Sequence, residues 1–190
     1  MTRPRGSVAP RLLDPVLAVV ERVDRARRRI VPARQAALLG VERNHHHGQP
    51  VTLADGTIVT PGDRVDIIHF DNACLSRLGT AGWQRAAYEV ARQDLRALAV
   101  RHARLPDAER PVAYTGVTIL APLARRAGFE VRERPRTSRA RLEDWYLRSL
   151  LARWAPGGRQ RLARGRRELR TLEVWMSGAE LLRRYSPPPE

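Results

Sequence analysis

The sequence predicts an α+β fold: a single domain with a small mixed or antiparallel sheet, a β-hairpin and about four to five packing helices. Three observations point there. Apolar residues recur at helical spacing from Trp83 to Leu98. Asp55-Gly56 separates two short β-prone runs, a strong hairpin signal. Arg64 to Phe70 carries apolar residues on both of its alternating faces, as a central strand covered on both sides does. With 43% hydrophobic and 29% charged residues over 190 positions, wholesale disorder is excluded and one adequate core is expected.

Taken in order, Met1 to Pro10 reads as a loose lead-in, residues 11–185 as the folded domain and 186–190, with its Pro187-Pro188-Pro189 run, as a disordered tail. Asp14-Pro15 is an N-cap followed by proline in the first helical position. Val16, Val19, Val20, Val23 and Ile30 then predict an amphipathic helix ending at Val31-Pro32. Ala37 to Val41 reads as a strand, and the runs 51–53 and 57–59 as the hairpin. Pro61-Gly62-Asp63 turns the chain into the strand 64–70. Asn72 is placed to cap a short helix through Leu78, and Thr80 a longer one to about Arg104.

In that longer helix Trp83, Ala87, Val90, Ala91, Leu95 and Leu98 form the inward stripe. Val112 to Leu120 is ambiguous between strand and helix entry. Leu123 to Ala127 ends at Gly128 as a helix with a glycine cap, and Phe129 to Val131 begins a strand. A helix is expected from Ser138 to Trp154 and a strand from Leu172 to Met176. Ser177 with Glu180 forms a capping box that opens the last helix.

All 35 basic residues are arginine, against 20 acids, for a net charge of +15. The absence of lysine excludes Schiff-base, phosphate-loop-lysine and lysine-base chemistry. The excess is +4 over residues 1–80, +4 over 81–135 and +7 over 136–190. Arginines spread over solvated helix faces as well read as codon bias, with one local patch: Arg159, Arg161, Arg164, Arg166, Arg167 and Arg170. That patch is a candidate polyanion site for nucleic acid or anionic lipid. No zinc-finger, helix-turn-helix or base-stacking signature accompanies it, and a solvated loop is the simpler reading. A lone cysteine, Cys74, excludes an internal disulfide and fits a cytoplasmic setting. No apolar run reaches the roughly 18 residues of a membrane span.

The candidate site residues are His69, Asp71 and Asn72. His69 interrupts an apolar strand where strand gives way to helix, a place where ligands meet α/β sheets. An imidazole there can act as a general base with Asp71 or Asp66 orienting it; the plainer reading is a buried histidine beside a helix cap. No serine or cysteine nucleophile accompanies it. His45-His46-His47 could present at most two imidazoles to one point from a strand, so no metal site is expected, and no cofactor motif is present. Asp55 and Asp63 are explained by their turns.

Several stretches together resemble the YkoP-like domain family of bacterial proteins. They are Leu53-Ala54-Asp55-Gly56-Thr57, Pro61-Gly62-Asp63 and Ile68-His69-Phe70-Asp71-Asn72. Gly116-Val117-Thr118 with Gly128 to Val131, and Glu173 to Ser177 with Leu181 to Tyr185, continue the pattern. The resemblance spans Leu12 to Tyr185. It implies no reaction; members resemble accessory domains, some joined to polysaccharide deacetylase domains or linked with glycosyltransferases. Where relatives carry a Trp-rich N-terminal helix, this chain has valines. The resemblance thus implies an accessory or ligand-binding domain in bacterial envelope polysaccharide metabolism, with enzymes of that pathway as partners. A polyanion-binding module and an enzyme centred on His69 are the alternatives.

Overall fold

The computed structural model describes residues 26–78, 82–135, 137, 140, 141, 143, 144, 146–148 and 171–187. The chain forms two compact units, residues 1–30 and 31–190. In the first, a helical turn ends at Arg27, and Arg29 takes a left-handed φ of 50°. The remainder of the helix expected from Asp14 lies outside the described residues.

The second unit contains β1 (Val31–Pro32), β2 (Leu39–His45), β3 (Val51–Thr52), β4 (Ile58–Val59), β5 (Arg64–Phe70), β6 (Ala113–Thr118), β7 (Glu130–Arg132) and β8 (Leu172–Ser177). Six of these make one mixed sheet in the order β1-β2-β5-β6-β8-β7, and β3 with β4 makes a separate hairpin. Among the described strands only the β5–β6 pair is parallel. Parallel neighbours need a long crossover, here supplied by α1 (Asn72–Arg77) and α2 (Trp83–Arg104). α3 (Ala121–Arg126) precedes β7, and α4 (Gly178–Tyr185) follows β8. An α+β architecture results.

Several boundaries moved for identifiable reasons. Val31-Pro32, expected at a helix end, forms an edge strand, where the missing proline N–H costs no ladder bond. β2 runs to His45 rather than Val41 because β5 offers partners along its whole length, from Leu39↔Phe70 to His45↔Arg64. The cap of α1 is Asp71, whose Oδ1 accepts from the Cys74 N–H at 2.8 Å. Helix α2 starts at Trp83 after Gly82 in a left-handed conformation (φ 67°). The hairpin turn is as the sequence reads: Asp55 Oδ1 accepts from Thr57 N–H at 3.0 Å, beside Gly56 at φ 86°. Ser177 caps α4, its hydroxyl accepting from Glu180 N–H at 2.8 Å.

Alternation along the strands assigns the two sheet faces. Leu39, Val41, Ile68, Tyr114, Val174 and Met176 join Leu95, Leu98 and Leu181 of α2 and α4 in the larger core. On the opposite face the hairpin residues Leu53 and Val59 pack on Val65, Ala113 and Trp175. The hairpin is pinned there by side chains: Ser177 donates to Asp55, Ala54 N–H donates to Glu130, and Arg132 donates to the Thr52 carbonyl. Val90, expected in the inward stripe of α2, is only half-buried, whereas Asp94 and His102 are fully inside.

Candidate functional site

His69 shares its face with Val65 and Ile67, on the hairpin side of the sheet. The hairpin covers the Val65 end, and His69 at the other end stays partly open, 24% exposed. Its Nε2 lies 2.9 Å from Glu42 Oε2 on β2, a carboxylate that is itself mostly covered. The register explains the meeting: Gly40 stands opposite His69 and Glu42 opposite Ile67, so the glycine leaves room for a diagonal contact. Glu42 thus brings a carboxylate to the imidazole from one residue beyond the expected strand end.

Asp71 and Asn72 lie where the chain leaves β5. Asp71 accepts from Cys74 N–H as the α1 cap and donates its own N–H to the Leu38 carbonyl at 2.7 Å. Asp66 points into the other face. It is buried, and desolvation raises its carboxyl above the usual range against the pull of Arg101, Arg43 and Arg64. In register beside it is Tyr114, whose hydroxyl lies 3.0 Å from His102 Nδ1. Burial pushes the tyrosine hydroxyl up and the imidazole down, which leaves both neutral at pH 7. Nothing in sequence separation suggests this grouping, though spacing at 91, 95, 98 and 102 puts His102 on the inward face.

The histidine tract disperses. His45 ends β2, and His46 donates from Nε2 to the Gln49 carbonyl at 2.8 Å while meeting Trp175 edge-on at 5.7 Å. Among the described residues no group of three His, Cys, Asp or Glu side chains is placed to hold a metal ion. Asp63 accepts from the Thr60 N–H and hydroxyl, which hold its carboxyl below the usual range. Desolvation works against the low value of Asp55, but hydrogen bonds from Ser177 and Thr57 outweigh it. These two acids are engaged in their turns. Arg159 to Arg170 lies outside the described residues. Among the described residues no helix is long and apolar enough to cross a membrane.

A cleft of about 350 Å³ opens beside β7 and β8, its mixed polar and apolar lining made by Glu133, Arg134, Pro135, Ala140, Arg141, Asp144, Arg148, Thr171 and Leu172. Thr137 starts its helical wall: Oγ1 accepts from Ala140 N–H, and the carbonyl from Arg141 N–H, each at 3.1 Å. Asp144 accepts from both the N–H and the hydroxyl of Thr171, joining this wall to β8. Arg134 donates to Glu143 at 2.6 Å, and its second terminal nitrogen is buried with no acceptor among the described residues. The sequence reading places the helix but not this cleft, because the opposite wall comes from residues 133–135 and 171–172.

Fold and site define a mixed-sheet α+β domain with a histidine–carboxylate pair on one sheet face and a charged cleft at the sheet margin. The chain belongs to the YkoP domain family, whose model matches residues 11–185. It matches no curated protein and no solved structure.

Proposed function

We propose that this chain is an accessory, ligand-binding domain in bacterial envelope polysaccharide metabolism, acting in the cytoplasm beside enzymes of that pathway. The observation that carries the binding part is the cleft along residues 133–148 and 171–172. Its walls pair carboxylates and guanidiniums with a threonine hydroxyl and the apolar Pro135 and Leu172. Such a mixture suits a polyhydroxylated ligand: acids accept from hydroxyls, arginines donate to them, and apolar patches meet the C–H face of a ring. The polysaccharide context rests on the family resemblance.

The test is calorimetric titration of the full chain with short glycan fragments, repeated with Arg141→Ala. Arg141 is exposed on its helix, so the variant keeps the fold. Saturable binding weakened by the substitution supports the reading; no binding to any fragment refutes it.

A second reading, an enzyme centred on His69, is favoured by the Glu42 contact, which orients the ring as a general base requires. Turnover of a glycan or its ester that disappears in both His69→Ala and Glu42→Gln supports it.

A further inference from the structure

We infer that the outer surface of α2, α3 and α4 docks on an anionic lipid bilayer, its arginines meeting the headgroup phosphates. Three helices meet there. The Arg126 guanidinium of α3 lies 4.2 Å from the centre of the Tyr88 ring of α2. The Tyr185 hydroxyl of α4 donates to the Ala127 carbonyl just after α3 at 2.8 Å, and the Arg184 side chain lies against Gly128. On α2, residues 85, 88, 92 and 96 follow at intervals of three and four and so share one stripe. Arg92 and Arg96 act electrostatically on the Tyr185 hydroxyl from that stripe, as Arg184 does from α4. Arg85, Arg92 and Arg96 thus join Arg125, Arg126, Arg183 and Arg184 on one surface, and all but Arg92 are exposed.

The described acids on this surface are Glu89 and Glu180. Glu89 pairs with Arg92 at 3.0 Å, and Glu180 pairs with Arg183 and Arg184. Among the described residues Arg85, Arg96, Arg125 and Arg126 have no carboxylate partner. The described residues of the second unit hold eighteen arginines and fifteen acids. Seven of those arginines and two of those acids stand here, and the other eleven arginines are outnumbered by thirteen acids. A codon preference for arginine accounts for the missing lysine but not for this shortage of acids. The C-terminal dipoles of α3 and α4, about half a charge each, offset only part of the excess. A body that is basic on one side and weakly acidic elsewhere is oriented by an anionic plane.

None of the seven arginines lines the cleft, and their spread over three helices suits an extended anion rather than a small one. Base stacking on a nucleic acid would need an open aromatic ring, but Arg126 covers Tyr88, and Tyr185 is buried. Among the described residues no large apolar side chain of these helices is exposed, so the contact is with headgroups and without insertion. Clusters of about four to eight cations hold a helical surface to anionic lipid in this reversible way. α2 and α4 cover the face of the sheet opposite the hairpin, so docking by this surface turns the His69–Glu42 pair away from the bilayer.

The experiment is sedimentation of the full chain with vesicles of phosphatidylglycerol and phosphatidylcholine, or of phosphatidylcholine alone, at low and at physiological salt. The parent chain should partition onto the anionic vesicles alone, and less so as salt rises. Arg85→Gln/Arg96→Gln/Arg125→Gln should weaken that partition roughly a hundredfold. These three arginines have no ion pair to lose among the described residues, and melting temperatures report the intact fold. Arg43→Gln/Arg77→Gln/Arg104→Gln removes the same charge from other exposed positions and should weaken partition by less than about tenfold. Equal losses in the two triple variants would mean that net charge alone acts, and would overturn the inference. Absent partition, or partition unchanged by the first triple variant, overturns it as well. A labelled oligonucleotide followed by fluorescence anisotropy tests the other phosphate polymer. Tighter binding to it than to vesicles, lost in the first triple variant, overturns the inference in favour of nucleic acid.

Discussion

Asp94 is a buried carboxylate with three partners on one segment, and its removal has a calculable effect. It is fully buried in the middle of α2. One oxygen accepts from the N–H groups of Leu38 and Leu39 at 2.7 and 3.0 Å, and the other meets Arg34 Nε at 2.6 Å. Those contacts fix the entry to β2, and through it the Glu42–His69 face. In Asp94→Ala two buried amides lose a charged acceptor, at about 1–3 kcal/mol each. Collapse around the smaller side chain recovers some of this, as does relief of the burial that raises this carboxyl above its usual range, which leaves about 2–4 kcal/mol.

Arg34 is a third exposed, so its side of the pair is largely screened and Arg34→Ala should cost about 1 kcal/mol or less. Urea unfolding of both variants and the double mutant separates the two contributions. For a chain of this length the Asp94→Ala loss corresponds to roughly 10 °C in melting temperature. A loss below about 1 kcal/mol, or equal losses in the two single variants, would show that the amides are not what the carboxylate serves.

Ser177→Ala removes the α4 cap and the bond to Asp55 together, and should cost about 1–2 kcal/mol in chemical denaturation. Gly128→Ala should destabilise through its positive φ of 85° and through a Cβ that would meet the Arg184 side chain at 2.5–2.8 Å. The double variant Gly128→Ala/Arg184→Ala should recover only the steric part of the melting-temperature loss. Burial raises Asp66 in the folded state, so its stabilising effect is present at low pH and fades as pH rises through the raised value. Asp66→Asn should therefore gain in melting temperature relative to the parent chain between acidic and neutral pH. Glu180 behaves oppositely. Hydrogen bonds from Arg183 and Arg184 hold it down to about 2. Its contribution is complete above the ordinary value of 4.5 and is lost as pH falls toward 2; Glu180→Gln should flatten that acid limb of a melting-temperature profile.

What the sequence determined by itself was whatever rests on near neighbours in the chain. The Asp55-Gly56 hairpin turn, the Ser177 cap three residues before Glu180 and the two-faced strand 64–70 need only local backbone geometry and side-chain periodicity. All three occur where those rules put them. Tertiary structure decided what depends on register and on which strands become neighbours. β2 lengthened to His45 because β5 had unmatched hydrogen-bonding groups to offer, and that extension brought Glu42 to His69. Asp94 entered the core because two amides 55 and 56 positions earlier needed an acceptor there. The charged cleft formed because a strand end at 133–135 and a strand start at 171–172 flank the same helix. A buried polar group is stable only when its partner is in reach, and such partners are brought within reach by the fold, whatever their distance along the chain.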